Sequence, residues 1–453
     1  MTTTESSDVV QASDPRPGAR RRLRARLARP ASRVLLGSVI GQGAVLAASP
    51  LITRFYRPGD LGALAVVTAL SSVVGAVAPL GWDRAVVVPR AEGAARAVVL
   101  LAVVSVVTIS AIAGVVAYAG RHVWAEATGT PLLVDAWWVC PVTVLAVALQ
   151  RVVTSSLARR RDYVALGRRS ALQGLGQVAC NLALAPLGGS WGLVLGLAVG
   201  RATALVGTRR RHAPRRSRPP RATVRPPGRR RVRGRLVVAV VSRYRRFPLV
   251  STWSGLINVM GQQAPLLLLA ALHGSPAIGA LALTMRVLGS PVGIVADAVA
   301  LQVDGQTGAI VRRRAGGVEA SVRRVLLPLA ALAVVGLVAC VLGAPVVFPV
   351  VFGEAWSGAA TSAMLLAPAF AAQLVASPVS RLLPLLERQG TQLAWDVVRL
   401  VATSGAIVGS SLAGATVTTS IAVWSTASVV SYAVMLWLVV RAARCADRPR
   451  AAH

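Results

Sequence analysis

The residues of this sequence that could do chemistry are few, and most stand inside long apolar runs. Arg286 lies ten residues into one run, and Asn258, Gln262 and Gln263 lie in the run before it. Gln42 sits in the first run, which Arg54 closes. A guanidinium grips phosphate with a planar fork of donors, and amides match hydroxyls. Arg286 and these amides together would suit a sugar-phosphate ligand. The same amides could instead bond neighbouring helices, and Arg286 could answer a structural partner, so both readings stand. Arg54 sits where its stem can carry the charge to a surface, and position alone leaves its role open. Asp297 follows Arg286 by eleven residues, on nearly the same helix face and about 16 Å along. It is a possible ion or proton site. Asp396 and Arg399, spaced i,i+3, are expected to pair with each other, and Asp396 is a second possible coupling carboxylate. Arg201 lies deep in its run yet within reach of one end.

Other chemistries are missing from the sequence. It contains no Lys, so no Walker A phosphate loop can be written. Gly174-Leu175-Gly176-Gln177-Val178-Ala179 has dinucleotide-type spacing but lies inside an apolar run with no strand before it. There is no His-Glu-x-x-His. The four Cys (Cys140, Cys180, Cys340, Cys445) form no CxxC, and the four His are scattered, so neither a disulfide framework nor a metal site is expected. No cofactor is expected, and no enzymatic activity.

The elements that must hold these residues follow from composition. The chain has 453 residues, 55% hydrophobic and only 15% charged, with a mean hydropathy of +0.62. A soluble domain carries about 25% charged residues, and disorder needs low hydrophobicity. At about 20 residues per crossing, the apolar residues could supply roughly twelve helices. The runs are continuous and do not alternate, which argues against a β-barrel. The expected fold is an all-α polytopic membrane protein, with about twelve transmembrane helices in two six-helix lobes around a central cavity. The spans fall near 34–53, 61–82, 96–119, 133–155, 170–187, 191–207, 247–272, 276–302, 325–350, 356–380, 391–411 and 417–440.

The net charge of +34 sorts itself by loop. Arg clusters precede span one and follow spans two, four, six, eight, ten and twelve, while the alternate loops are nearly bare. The positive-inside rule places both termini in the cytoplasm of a multi-pass cell-membrane protein. That placement also accounts for the basic balance without nucleic acid, which is not expected as a partner. Arg20-Arg21-Arg22 resembles a twin-arginine signal, but the first run is long enough to stay in the membrane as an uncleaved helix. The expected organisation is a basic tail over 1–33, a first lobe over 34–207, an Arg/Pro-rich linker over 208–246, a second lobe over 247–440 and a tail over 441–453. The linker reads as a solvated cytoplasmic loop touching anionic lipid. Gly62-Ala63-Leu64-Ala65 and Gly279-Ala280-Leu281-Ala282 open spans two and eight as a faint repeat, implying parallel pseudo-symmetry. Glycines at four-residue spacing (Gly37 and Gly41; Gly192, Gly196 and Gly200; Gly405 and Gly409) are expected to let helix backbones approach closely.

Four short stretches bring a family into view. These are Arg54-Phe55-Tyr56-Arg57-Pro58-Gly59-Asp60-Leu61-Gly62, Asp83-Arg84-Ala85-Val86-Val87-Val88-Pro89-Arg90, Tyr244-Arg245-Arg246-Phe247-Pro248 and Val351-Phe352-Gly353-Glu354-Ala355-Trp356. They resemble Wzx-type oligosaccharide flippases of the multidrug/oligosaccharidyl-lipid/polysaccharide exporter superfamily. That family commonly has an Arg-aromatic-x-Pro-x-x-Phe-Gly turn between its first helices; here Leu61 stands for the Phe. The resemblance implies two lobes enclosing a cavity, often cationic. It implies a flippase that carries a polyprenyl-pyrophosphate-linked oligosaccharide from the cytoplasmic to the outer leaflet by alternating access, for cell-surface polysaccharide. On that reading Arg54 and Arg286 receive the pyrophosphate. Partners would be the lipid-linked oligosaccharide, membrane lipids and other polysaccharide-assembly membrane proteins. The rivals are a small-molecule antiporter of the same superfamily, which needs a carboxylate in its cavity, and a lipid II flippase, a group that usually has fourteen helices. A membrane glycosyltransferase is disfavoured by the short outer loops.

Overall fold

Inside a bilayer an apolar segment satisfies its own backbone by coiling into a helix. The computed structural model describes residues 30–206, 208, 238–313 and 317–447. Most of the basic N-terminal tail and of the 208–246 linker therefore lies outside the described residues. Among these residues there is no strand. Twelve long helices carry the fold: α1 (Pro30–Phe55), α2 (Pro58–Val77), α3 (Glu92–Ala119), α4 (Val139–Arg159), α5 (Tyr163–Ala183), α6 (Trp191–Val206), α7 (Thr252–His273), α8 (Ser275–Arg313), α9 (Val318–Phe352), α10 (Ser357–Ser380), α11 (Gln389–Leu412) and α12 (Val417–Asp447). Ten are long and apolar enough to cross a membrane. Of the other two, α5 is interrupted by Arg168, Arg169, Gln173, Gln177 and Asn181, and α6 has only 16 residues.

Helices α8, α9 and α12 run past the expected spans. Helices α8 and α9 continue towards each other past 302 and before 325. Helix α12 continues to Asp447 because Ala442 and Ala443 bury against Val318 and Val322 of α9.

The packing repeats itself in the two halves. In the first, α5 lies between α1 and α6, while α4 meets α2, α3 and α6. In the second, α11 lies between α7 and α12, while α10 meets α8, α9 and α12. Adding six to each helix number of the first set gives the second. The junction obeys the same rule: α2 packs on α8, and the pairs α2/α7 and α8/α1 exchange into each other. Two six-helix bundles thus meet about a pseudo-twofold axis, and the two repeat segments opening at Gly62 and Gly279 lie on the helices that cross at it. At Gly279 a side chain would run into the Pro58 carbonyl, so glycine is needed there. Gly37 and Gly41 lie against the α5 backbone at Gly167 and Ser170. Gly405 and Gly409 meet nothing within 4 Å; that face of α11 packs on no neighbour, against expectation.

The four stretches that carried the resemblance build two joints between the bundles. At one end, Gly353 (φ +99°) ends α9 and turns Trp356 into the first bundle, where its indole N–H donates to the Thr53 carbonyl at 3.2 Å. Tyr56 in the same joint is 2% exposed and donates to the Asn181 carbonyl at 2.8 Å. At the Arg-rich end, Gly81 (φ +67°) backs onto the Phe247 carbonyl, and Arg84 Nη1 donates to the Ser251 carbonyl at 3.0 Å.

Candidate functional site

Helix α11 carries Gln392, Asp396, Arg399 and Thr403 at offsets of zero, four, seven and eleven, one face of a helix. That face does not meet lipid. It lines a cavity of about 670 Å³ inside the second bundle. Helix α7 supplies Asn258, Gln262 and Gln263 to the wall, α10 supplies Gln373 and Ser377, and α12 supplies Ser428 and Tyr432. Trp395 and Trp424 add flat apolar surfaces.

Arg399 is the cation of this cavity's interior. It is 9% exposed and its guanidinium lies 4.9 Å over the Trp395 ring. Its Nη2 stands 3.9 Å from Asp396 Oδ1, so the expected i,i+3 pair forms only at long range. Its Nε is buried with no hydrogen-bond partner among the described residues. Gly261 of α7 lets it lie there, because a Cβ at 261 would stand 2.7 Å from Nη2. Asp396, 7% exposed, takes a long 3.5 Å bond from Gln392. On α7, Gln262 Nε2 donates to Asn258 Oδ1 at 3.0 Å. The wall therefore offers hydroxyls, amides, aromatic faces and one underused guanidinium. Such a set can bind hydroxyl-rich and phosphorylated groups. Arg84 and Arg381 also line the cavity; Arg84 is the one lining residue from the first bundle.

Of the residues singled out by sequence, Asn258, Gln262, Gln263, Asp396 and Arg399 line this cavity. Arg286 does not. It follows the lining residue Met285 by one position, about 100° around the helix, and its Nη1 is buried without a partner among the described residues. Gln42 and Arg54 are exposed on α1, away from the cavity. Asp297 is also exposed, and its carboxylate pairs with Arg381 at 2.9 Å. A chamber walled by both bundles was implied; this cavity belongs to the second bundle. The sequence reading took Arg399 only as the partner of Asp396, not as a cavity cation, and Trp395 and Gln373 escaped it. The four-residue polar stripe on α11 was the available signal for Arg399. No three His, Cys, Asp or Glu come together as a metal site among the described residues.

An all-helical, multi-pass chain with a polar cavity in one of two pseudo-symmetric bundles defines a membrane transporter. A family model described as "Polysaccharide biosynthesis protein" matches residues 51–361, well over half the sequence. The chain belongs to that polysaccharide biosynthesis family. No curated protein matches it. Among solved structures, the lipid II flippase MurJ in an inward closed conformation superposes with a TM-score of 0.65 at 10% identity, covering 92% of this chain and 89% of that one. An inward-facing multidrug resistance transporter of the MATE family, in the MOP superfamily, superposes at 0.58 and 12% identity, covering 93% and 96%. A MOP superfamily transporter from Pyrococcus furiosus superposes at 0.55 and 12% identity, covering 92% and 96%. At these identities the likeness is one of fold. The family is one of polysaccharide biosynthesis, and the fold is the one these transporters share.

Proposed function

We propose that the protein flips a polyprenyl-pyrophosphate-linked oligosaccharide from the cytoplasmic to the outer leaflet for cell-surface polysaccharide, with both termini in the cytoplasm. One observation carries the reading: a polar cavity within the membrane region whose buried Arg399 keeps a free donor edge among amides and hydroxyls. The guanidinium would hold a phosphate, Asn258, Gln262, Gln263 and Gln373 would meet sugar hydroxyls, and Trp395 would stack on a sugar face. The lipid tail stays in the bilayer while the bundles rock at their two joints. Arg286, beside the cavity wall, would take the pyrophosphate as the bundles part, and Arg54 and Gln42 would meet the headgroup near release. Asp396 would be the coupling carboxylate. Membership of a polysaccharide biosynthesis family supports the cargo class.

The test is deletion of the gene in its host followed by lipid analysis. The reading expects a lipid-linked oligosaccharide to build up facing the cytoplasm. Re-expression of the wild type should clear it, while Arg399→Gln, shown to be inserted and folded, should not. Normal surface polysaccharide without any build-up would sink the proposal.

A further inference from the structure

The first bundle holds a polar cluster that this reading leaves unused. Arg169 of α5 and Arg201 of α6 converge on Gln150 of α4. Arg201 Nη1 donates to Gln150 Oε1 at 3.0 Å, and Gln150 Nε2 donates back to the Arg201 carbonyl at 3.0 Å. Arg169 Nη1 donates to the Gln150 carbonyl at 3.4 Å and to Thr154 Oγ1. The two cations are thus held on one glutamine, within electrostatic range of each other.

Among the described residues no carboxylate pairs with either of them. The first bundle's ion pairs among the described residues are Arg151–Asp83 and Arg159–Glu92, which include neither arginine. The Nε atoms of both are buried without a hydrogen-bond partner among the described residues. In each guanidinium the bonds seen use Nη1. The Nε–Nη2 edge is left over, and that edge is the one whose parallel donors fork two oxygens of a phosphate or carboxylate.

Depth and symmetry sharpen the case. Arg169 lies six residues past the start of α5 and Arg201 five before the end of α6, so both sit about 8–9 Å in from the Arg-rich end of the bundle. An arginine at membrane depth normally faces a partner or a cavity. The pseudo-symmetric helices of the other bundle, α10, α11 and α12, carry Gln373 and Arg399 but also Asp396, which stands by its arginine. The first bundle keeps the glutamine, doubles the cation and omits the acid.

We propose that Arg169 and Arg201 form a phosphate site in the first bundle, separate from the cavity of the second. Its ligand is a phosphate group, either free inorganic phosphate or the headgroup of an anionic phospholipid. Gln150 and Thr154 hold the two guanidiniums so that their free edges face the same anion. The site does not depend on the cargo reading above.

The experiment uses the full chain in two lipid compositions. In nanodiscs of phosphatidylcholine, inorganic phosphate should raise the thermal midpoint of the wild type saturably. The Arg169→Gln/Arg201→Gln double variant should lose affinity by about tenfold or more. The Arg169→Lys/Arg201→Lys variant keeps the charge without the fork, and should bind measurably more weakly than the wild type. It decides the matter if the glutamine variant does not fold. In nanodiscs containing phosphatidylglycerol, native mass spectrometry should read the source. An anionic lipid retained by the wild type and lost from the variants identifies a lipid headgroup, whereas a phosphate response with equal lipid retention identifies free phosphate. A wild type with neither a phosphate response nor retained anionic lipid overturns the proposal. So does a response equal in wild type and variants.

Discussion

Trp356 and Thr53, 303 residues apart, are joined by one hydrogen bond that ties the second bundle to the first. The indole is 1% exposed and packs with Ile52, Tyr56, Leu61 and Phe352. Removing the bond with part of the ring should differ from removing the whole ring. Trp356→Phe should cost about 2–3 kcal/mol, a lost hydrogen bond plus a partial cavity. Trp356→Ala should cost about 3–5 kcal/mol, the range for emptying a core aromatic site. Reversible unfolding in detergent micelles measures both. Equal losses would mean that the bond, not the buried ring, carries this joint.

Gly279 tests whether the same end must close. Its Cα faces the Pro58 carbonyl so tightly that any Cβ collides with backbone, which cannot swing aside. Gly279→Leu should therefore hold α8 away from the start of α2 while leaving each bundle intact. Spin labels on the exposed ends of α1 and α11, at Arg54 and Leu412, should report a longer and broader distance than in the wild type. Transport should fall with it. An unchanged distance distribution would show that this contact does not set the closed state.

The class of fold was legible because a bilayer leaves an apolar segment no alternative to helix, and Arg-rich loops mark its ends. Helix α5 shows the limit of that logic. Its Arg169, Gln173, Gln177 and Asn181 make it too polar for a lipid-facing span, and only its burial between α1 and α6 tolerates them. Depth was readable for Arg286 and a pairing for Arg399, but neither gives direction around a helix. Which way each faces is fixed by packing: Arg286 leans away from the cavity that its neighbour Met285 lines, while Gly261 on another helix makes room for Arg399. The motifs at Arg54–Gly62 and Val351–Trp356 were visible as patterns. That they meet each other in space could not be read from residues 303 positions apart.

Asp297 had the spacing of a coupling site, and its surroundings argue otherwise. Its side chain is 65% exposed and that of its partner Arg381 is 49% exposed. Exposed ion pairs contribute about 0–1 kcal/mol. Asp297→Asn should leave both stability and the ion dependence of transport nearly unchanged. Transport measured across a range of sodium and proton gradients checks this, with Asp396→Asn, whose carboxylate is buried in the cavity, as the contrasting variant. A collapse of gradient dependence in Asp297→Asn would restore it as the coupling group.

The last turn of α12 closes the second bundle at its Arg-rich end. Asp447 Oδ1 accepts the Val318 N–H and Oδ2 accepts the Glu319 N–H, each at 2.9 Å. These are two of the four amides that the first turn of α9 leaves unpaired, and a carboxylate also complements the positive end of the helix. Gly317 (φ +83°) provides no side-chain cap of its own, so the cap must come from α12. Asp447→Ala should cost about 1–2 kcal/mol, the usual worth of a good N-cap with its charge. The loss should be local. Hydrogen exchange at Val318, Glu319 and Ala320 should speed up by about tenfold, as expected for roughly 1.4 kcal/mol, while the buried amides of α7 and α10 keep their wild-type rates. Asp447→Asn retains an acceptor without the charge and should fall between the two; exchange at α9 unaltered in both variants would show that the helix start is held by the Val318 and Val322 packing alone.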